Sequence, residues 1–520
     1  MTILFRNLLP WAELAIWLAL TLAACCWNWK QVFVGGQIYF ADPDCYSRMT
    51  RAQQVVANPW KAIKFHDFEN APLGVTPHTT APMDLLVAGL AGVFHLLYRT
   101  AGPSPLDLAG AFISPVLGLT LVAFLWCWGR KLALPYRQGI LAIAAVSPIL
   151  AHGFQLGRPD HQSLIILLVA VALAMEIGQW KRPQRAWEIC SAVLWALALW
   201  TSFFEPLVLL AATVLMRLAV LGRNALPDRT AAAVFVLLLF GAILFDGWRV
   251  RVPSAEERDY FLRWALNIGE LRRATLPQLF YWTGWLLTVS PALLFWRSWT
   301  EGDRPYAALA ALLLFLIGLS LWHMRWGYFL AIAFALSLPW ALATIPWRPV
   351  AWLALAISLW PVATEWDRQL FPDERIRTAR EEDREDAYLL RETARALISS
   401  ERAIILAPWW LSPAIAYWSG QRCVSGSSHQ SLPGTVDSSR FYLSSAPHEA
   451  REILRKRSVN YVVAYEPARV ISNSGQILGF ATPARPLGEI LYDHPNAAPS
   501  FLRLVYENRF FKVFENIDEP

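Results

Sequence analysis

Long apolar runs, separated by short polar segments, fill the chain up to residue 363. A membrane-spanning helix needs about 20 largely apolar residues. Runs that approach this length lie at 11–28, 108–128, 139–154, 163–179, 187–203, 206–221, 231–247, 277–296, 306–322, 327–344 and 348–363. The pattern therefore predicts a multi-pass α-helical membrane protein with about 11–13 spans.

One further apolar run, 83–98, is short and is interrupted by Asp84 and His95. Lys and Arg accumulate in the cytoplasmic loops of membrane proteins. Four basic connections lie on the cytoplasmic side if 83–98 does not span, and all four face outward if it does: 130–137, 180–185, 217–229 and 297–304. We therefore expect 83–98 to lie in or on the outer interface, inside one long outer loop at 29–107. The N-terminus is then inside and the C-terminus outside.

Beyond residue 363 the apolar runs give way to short strand-like segments that alternate with charged helices. The predicted elements are helices at 372–400 and 448–458, β-type runs at 402–407 and 460–466, and a two-stranded ending at 501–516 with a turn near Asn508. Such alternation is typical of an α/β domain. The sequence thus predicts a transmembrane domain at 1–363 and an extracytoplasmic mixed α/β domain at 364–520.

The composition agrees with a membrane protein and excludes several other classes. Hydrophobic residues make up 56% of the 520 positions, which is too apolar for a soluble enzyme. The 27 Trp suit aromatic belts at two membrane interfaces. The net charge of +6 is no evidence for nucleic-acid binding, because basic loops orient a membrane protein. The six Cys show neither disulfide nor metal-ligand spacing, and the first apolar run lacks a cleavage site, which favours a retained span.

Several polar segments fall on the predicted outer face. They carry Asp42 and Asp44 after the first span, Asp160 in the turn GRPDHQS, Glu270 in the loop 248–276, and Arg325 before the 327–344 span. Mg²⁺ and Mn²⁺ prefer carboxylate and amide oxygens, and such an ion can neutralise a phosphate leaving group. Arginine recognises phosphate through its planar fork of donors. Such residues also cap helices or anchor spans, so these patterns alone leave an enzyme with an outer active site and a transporter both open.

Taken in order, these segments resemble the catalytic-subunit family of oligosaccharyltransferases. These are membrane glycosyltransferases of the GT-C architecture, which move a glycan from a polyprenyl (pyro)phosphate carrier to an acceptor protein. The motifs that carry the resemblance are DCYSRMTR with Asp44, Tyr46 and Arg51, GRPDHQ with Asp160 and Gln162, NIGE with Asn267 and Glu270, HMRWG with Arg325, and PWWLSPAIAYWSG with Trp409, Trp410, Tyr417, Trp418 and Gly420.

The resemblance implies a role for each matched residue. It implies that Asp44 and Asp160, with Gln162 or His161, hold Mg²⁺ or Mn²⁺. Glu270 would complete the metal shell or hold the acceptor nucleophile, and so counts with Asp44 and Asp160 as catalytic. Arg325 would bind the donor phosphate. Trp409 and Trp410 would shape the acceptor site, and the 83–98 helix would lie beside the carrier chain.

Two positions depart from the family's motifs. Leu411, Ser412 and Pro413 stand where the family has D-Y-G after the tryptophan pair. A Leu side chain cannot accept the acceptor's hydroxyl hydrogen bond, from which a polar site takes its selectivity. Recognition of Asn-x-Ser/Thr is therefore in question. Gln162 is a neutral amide where the family has a carboxylate or an imidazole.

The sequence thus predicts a metal-dependent glycosyltransferase at the outer face of a bacterial inner membrane. Its expected partners are a polyprenyl-linked glycan donor, an acceptor polypeptide or other acceptor, and membrane lipid, without nucleic acid. Three alternatives remain open: a GT-C enzyme with a lipid or polysaccharide acceptor, a non-catalytic paralogue, and a transporter of lipid-linked sugars.

Overall fold

The computed structural model describes residues 2–59, 61–97, 103–249, 254–398 and 401–518, and within them the chain is mainly helical. The helices are α1 (Thr2–Cys25), α2 (Trp29–Val32), α3 (Pro43–Ala57), α4 (Ala81–Leu97), α5 (Pro105–Lys131), α6 (Arg137–Val146), α7 (Pro148–Gly153), α8 (His161–Lys181), α9 (Arg185–Thr201), α10 (Phe204–Leu221), α11 (Arg229–Asp246), α12 (Ala255–Ala265), α13 (Leu276–Thr283), α14 (Leu286–Glu301), α15 (Arg304–Trp322), α16 (Gly327–Leu342), α17 (Arg348–Ser358), α18 (Trp360–Leu370), α19 (Glu374–Ala396), α20 (Ser412–Ser419), α21 (Leu432–Leu443), α22 (Pro447–Arg457), α23 (Pro467–Leu478) and α24 (Leu487–Asp493). The strands are β1 (Phe33–Val34), β2 (Gln37–Ile38), β3 (Ile404–Leu406), β4 (Arg422–Cys423), β5 (Tyr461–Ala464), β6 (Leu502–Glu507) and β7 (Lys512–Asn516).

The chain divides into two compact units, each built from segments distant in sequence. Unit 1 consists of Met1–Trp29, Ala111–Phe245 and Glu270–Glu374. Unit 2 consists of Lys30–Gly110, Asp246–Gly269 and Arg375–Pro520. The division of the sequence into functional domains at residue 363 stays a prediction.

The predicted multi-pass helical class is confirmed. In the described part of the chain, six helices are long and apolar enough to cross a membrane, or up to seven if the bent pair α13 and α14 is one span. This is fewer than the apolar pattern predicts. The difference arises because several predicted spans are short or interrupted helices.

Three of the interrupted spans lie in unit 1, and hydrogen bonds connect the break in each one to another helix of this unit. The run 139–154 breaks at Ser147, between α6 and α7, and the hydroxyl of Ser147 donates to the carbonyl of Trp282 at 2.6 Å. The run 277–296 bends by 81° between α13 and α14. The run 348–363 breaks after Ser358, between α17 and α18.

The bend and the last break satisfy each other's backbone groups. The amide of Trp285 donates to the carbonyl of Ser358 at 3.1 Å, and the amide of Leu286 donates to the Ser358 hydroxyl at 2.8 Å. Inside a bilayer a backbone group without a partner is costly, so non-helical backbone is tolerated where protein groups satisfy it.

The α/β prediction for the C-terminal region is confirmed in unit 2. Five strands form a sheet in the order β4-β3-β5-β7-β6. Strand β3 runs parallel to β4 and β5, whereas β7 is antiparallel to β5 and β6. The predicted two-stranded ending is the β6–β7 pair, and the predicted helix at 448–458 is α22.

Most of the ambiguous run 83–98 forms helix α4, and position 98 lies outside the described residues. The first turn of α4 buries Asp84, whose carboxylate bonds Arg48 at 2.7 Å and Arg51 at 2.5 Å, both from α3. Leu96 and Leu97 at the other end are each 73% exposed. The helix is therefore fixed at its polar start and apolar on its free face, as a helix in a membrane interface would be. Its place in that interface stays a prediction.

Candidate active site

Backbone contacts within unit 1 hold the turn GRPDHQS in place. The amide of Gly157 donates to the carbonyl of Ala111 at 2.9 Å. The hydroxyl of Ser114 donates to the carbonyl of Arg158 and bonds the Ser163 hydroxyl at 2.9 Å. Gly157 has a φ of +76°, a conformation that glycine adopts without penalty. The turn is thus anchored on α5, and its side chains start from a fixed backbone.

Asp160 precedes α8 without capping it. It occupies the N-cap position, but its side chain makes no cap hydrogen bond. Instead its carboxylate lies 2.5 Å from Nδ1 of His161. An Asp at this position ordinarily caps the helix, but the side chain of Asp160 does not do so.

Gln162 is fully buried on the first turn of α8. Neither its amide oxygen nor its amide nitrogen has a hydrogen-bond partner among the described residues. Leaving a buried polar group unpaired costs about 1–3 kcal/mol. A bound ligand would satisfy these atoms, which agrees with the prediction from the sequence that Gln162 is a metal ligand.

Glu270 lies at the centre of an ionic cluster. Its Oε1 accepts hydrogen bonds from Nη2 of Arg158 and from the Tyr328 hydroxyl, the latter at 3.2 Å. Its Oε2 lies 3.6 Å from Nε of Arg325. Burial alone raises the pKa of a carboxyl group, but Arg158 and Arg325 hold the pKa of Glu270 below its ordinary value. Glu270 is therefore an ionised carboxylate between two guanidinium groups.

Four residues without a role in the sequence analysis complete this cluster. Nη1 of Arg158 lies 2.7 Å from Nε2 of His152, and Nδ1 of that ring lies 2.8 Å from the Tyr328 hydroxyl. Arg325 also pairs with Glu205 of α10, at 3.0 Å. Arg158 and Tyr328 had a sequence signal, since Arg158 lies two positions before Asp160 and Tyr328 directly follows HMRWG. His152 and Glu205 come from helices that no motif marks.

Asp44 belongs to unit 2, whereas Asp160, Glu270 and Arg325 belong to unit 1. Asp42 caps α3 by accepting from the amide of Cys45 at 3.0 Å. Asp44 therefore lies in the first turn of α3 and is not the cap.

The tryptophan pair lies in unit 2, between β3 and α20. The indole N–H of Trp409 donates to Oδ1 of Asn473 at 2.9 Å, and its ring packs edge-on against Trp264 of α12, with centroids 5.3 Å apart. The guanidinium of Arg469 lies 5.1 Å from the ring of Trp410. The two indoles are thus fixed at right angles to each other, and their role in acceptor binding stays a prediction.

The donor set fits a metal ion only in part. Across the described residues there is no group of three or more His, Cys, Asp or Glu side chains that could hold one. Asp160, His161 and the unpaired oxygen of Gln162 are suitable ligands from one turn. Glu270 does not fit, because two arginines already neutralise its carboxylate.

Comparison with known proteins finds likeness in structure alone, since no family model and no curated relative matches the sequence. The oligosaccharyltransferase of Archaeoglobus fulgidus in the apo form aligns over 97% of this chain and 80% of that chain, with a TM-score of 0.70 and 13% identity. AglB from that organism, in complex with an inhibitory peptide and a dolichol-phosphate, aligns over the same shares of the two chains with a TM-score of 0.64 and 14% identity. ArnT from Cupriavidus metallidurans, bound to undecaprenyl phosphate, aligns over 98% of this chain and 99% of that chain, with a TM-score of 0.55 and 12% identity. The chain therefore has the fold of the GT-C membrane glycosyltransferases.

Proposed function

We propose that this protein is a membrane glycosyltransferase that moves a glycan from a polyprenyl (pyro)phosphate donor to an acceptor polypeptide at the outer face of a bacterial inner membrane. The observation that carries the proposal is the meeting of Arg158, Glu270 and Arg325 in unit 1. These residues come from three loops distant in sequence, and they create a charged cluster on a fold shared with glycosyltransferases that were solved with polyprenyl phosphates.

The reaction needs one bond made and one bond broken at the anomeric carbon of the glycan. The acceptor's nitrogen or oxygen attacks this carbon, and the carbon–oxygen bond to the carrier phosphate breaks with its electron pair going to the phosphate. The acceptor's proton passes to a carboxylate, for which Glu270 is the candidate. Arg325 binds the phosphate and stabilises the negative charge that develops there.

Asp44 in unit 2, and Asp160 with Gln162 or His161 in unit 1, are the residues that we assign as ligands for a divalent ion. When bound, Mg²⁺ or Mn²⁺ would supply further positive charge for the leaving phosphate. The unpaired amide of Gln162 supports this assignment, because a ligand would satisfy its oxygen. Glu270 is assigned to the acceptor and not to the metal, because its charge is already balanced.

The test is transfer of glycan from a purified lipid-linked donor to peptide by the full-length protein in nanodiscs, with and without a chelator. We expect Asp44→Ala and Asp160→Ala to lose at least 100-fold in rate, the size that loss of one electrostatic stabiliser typically has. Asp67→Ala is the matched control, since Asp67 forms an exposed pair with Arg402. Full activity in both site variants would refute the assignment.

One observation favours a second acceptor class. Leu411, which stands where the family's hydroxyl-reading Asp would be, is buried with only 4% of its surface exposed. An acceptor other than Asn-x-Ser/Thr, such as a lipid, a polysaccharide or a protein hydroxyl, needs no such Asp. Glycopeptide mass spectrometry of a deletion strain separates the classes: modified Asn-x-Ser/Thr sites that vanish on deletion would exclude the second one.

A further inference from the structure

Arg158 is a buried cation that contacts with two neighbouring residues hold in place. Only 7% of its side chain is exposed. Its carbonyl is bonded by Ser114, and its guanidinium lies against the ring of His152. Placing a charge in such a site is unfavourable unless a counter-charge is present. The carboxylate of Glu270 supplies a counter-charge in this structure.

Glu270 is held less firmly than the arginine it neutralises. It lies in a single 3₁₀ turn, Gly269–Leu271, and 23% of its side chain is exposed. A short turn in a loop moves more easily than a residue anchored on two helices. If the pair opens, Glu270 is therefore the partner that moves, and Arg158 stays in place.

The same carboxylate also faces Arg325, at 3.6 Å. One anion thus lies between two guanidinium groups. A phosphate group has the charge and the acceptor oxygens to bind two such forks. Exchange of the carboxylate for a phosphate would keep both cations neutralised, so it avoids the penalty of an unpaired buried charge.

We propose that Arg158 is a second binding residue for the donor phosphate, and that in the donor-free protein Glu270 holds the phosphate's place between Arg158 and Arg325. This inference rests on the proposed function. Donor binding displaces the carboxylate, and the displaced carboxylate becomes available to the acceptor. The donor therefore binds before the acceptor.

If the ion pair between Arg158 and Glu270 only supports the fold, a different result is expected. The direction in which substitution of each residue changes the affinity for the donor phosphate separates the two cases. Loss of Arg158 removes a phosphate contact, so affinity falls. Loss of the charge on Glu270 removes a competitor, so affinity rises. If the pair only supports the fold, the two substitutions act in the same direction or have no effect.

The experiment measures binding of undecaprenyl phosphate to the purified full-length protein in nanodiscs. We expect Arg158→Gln to weaken binding at least tenfold and Glu270→Gln to strengthen it severalfold. Arg158→Lys, which keeps the charge, should retain part of the affinity. Arg185→Gln is the control, because Arg185 is an exposed arginine of the same unit, with 64% of its side chain exposed. Undecaprenol, which has the same chain without phosphate, should bind all variants equally.

Each outcome decides between the two assignments. Unchanged or weakened binding by Glu270→Gln overturns the exchange. Unchanged affinity in Arg158→Gln overturns the phosphate role of Arg158 and leaves the proposed function standing. If the unsubstituted protein does not bind undecaprenyl phosphate, both the proposed function and this inference fail.

Discussion

Nη2 of Arg51 lies 2.5 Å from Oδ2 of Asp84, and both side chains are fully buried. Arg48 bonds the other carboxylate oxygen at 2.7 Å. The resemblance treats Arg51 as part of a catalytic motif, yet its contacts join two helices of unit 2. Its direct contribution is therefore to the position of α3, the helix whose first turn contains Asp44.

We expect Asp84→Asn to destabilise the protein by about 3–5 kcal/mol, because it leaves two buried arginines without a full counter-charge. Thermal unfolding in detergent measures this. Asp67→Asn provides the comparison, since its pair with Arg402 is exposed and exposed pairs contribute only about 0–1 kcal/mol. Equal stability of the two variants would mean that the buried pair is dispensable.

Substitution of Gln162 should change stability and activity in opposite directions. Gln162→Met removes two unpaired buried polar atoms and keeps the volume, so stability should rise by about 1–3 kcal/mol. Transfer activity should fall, because the ligand oxygen is lost. Unfolding and transfer assays on the same preparation test both parts. A stable variant with full activity would show that the amide has no ligand role.

The stability of unit 2 should depend on pH through Asp386. Burial raises the pKa of this carboxyl to about 6, and the Tyr465 hydroxyl donates to it at 3.2 Å. A raised pKa means that the folded state binds the proton more tightly than the unfolded state. Stability is therefore highest below the unfolded value near pH 4 and falls as the pH rises to about 6.

Asp386→Asn removes this titration. The melting temperature of the variant should exceed that of the unsubstituted protein above pH 6 and match it near pH 4. A difference between the two proteins that stays constant across this range would contradict the role of Asp386.

Gly284→Ala should destabilise unit 1. Gly284 has a φ of +90°, and an added Cβ would lie 2.4 Å from the carbonyl oxygen of Ser358. The backbone strain and the clash would both disturb the hydrogen bonds that Trp285 and Leu286 donate to Ser358. We therefore expect the free energy of unfolding to fall by more than about 1 kcal/mol. Gly241→Ala is the control, because a Cβ there meets no atom within 4 Å. Equal unfolding temperatures of the Gly284→Ala and Gly241→Ala variants would show that the contact between Gly284 and Ser358 tolerates an added methyl group.

The sequence predicted the elements whose signal is local. The apolar runs gave the long spans, and alternation of strands and helices gave the C-terminal α/β region. The helix breaks were not predicted, because an apolar run with Ser147 or Gly284 inside it reads as continuous. Contacts with residues far along the chain make these breaks possible.

For the candidate site, motif order identified residues but not their partners. It named Glu270 and Arg325, which the structure brings together. It did not give Arg158 or Glu205 a role, because ion pairs between distant segments leave no local pattern. It left open whether Glu270 completes a metal shell or holds the acceptor nucleophile, and it gave no sign that the carboxylate lies between two arginines.

The hydrogen bonds at the helix breaks of unit 1 also have a consequence for insertion of the chain into the membrane during synthesis. Ser147 precedes its partner Trp282 by 135 positions, and Leu286 precedes its partner Ser358 by 72. As the ribosome delivers the chain from its N-terminus, the earlier helices enter the membrane before the groups that complete them exist. A nascent chain stalled before Ser358 would hold unsatisfied amides, so it should depend on the insertion machinery or on chaperones until the last broken helix arrives.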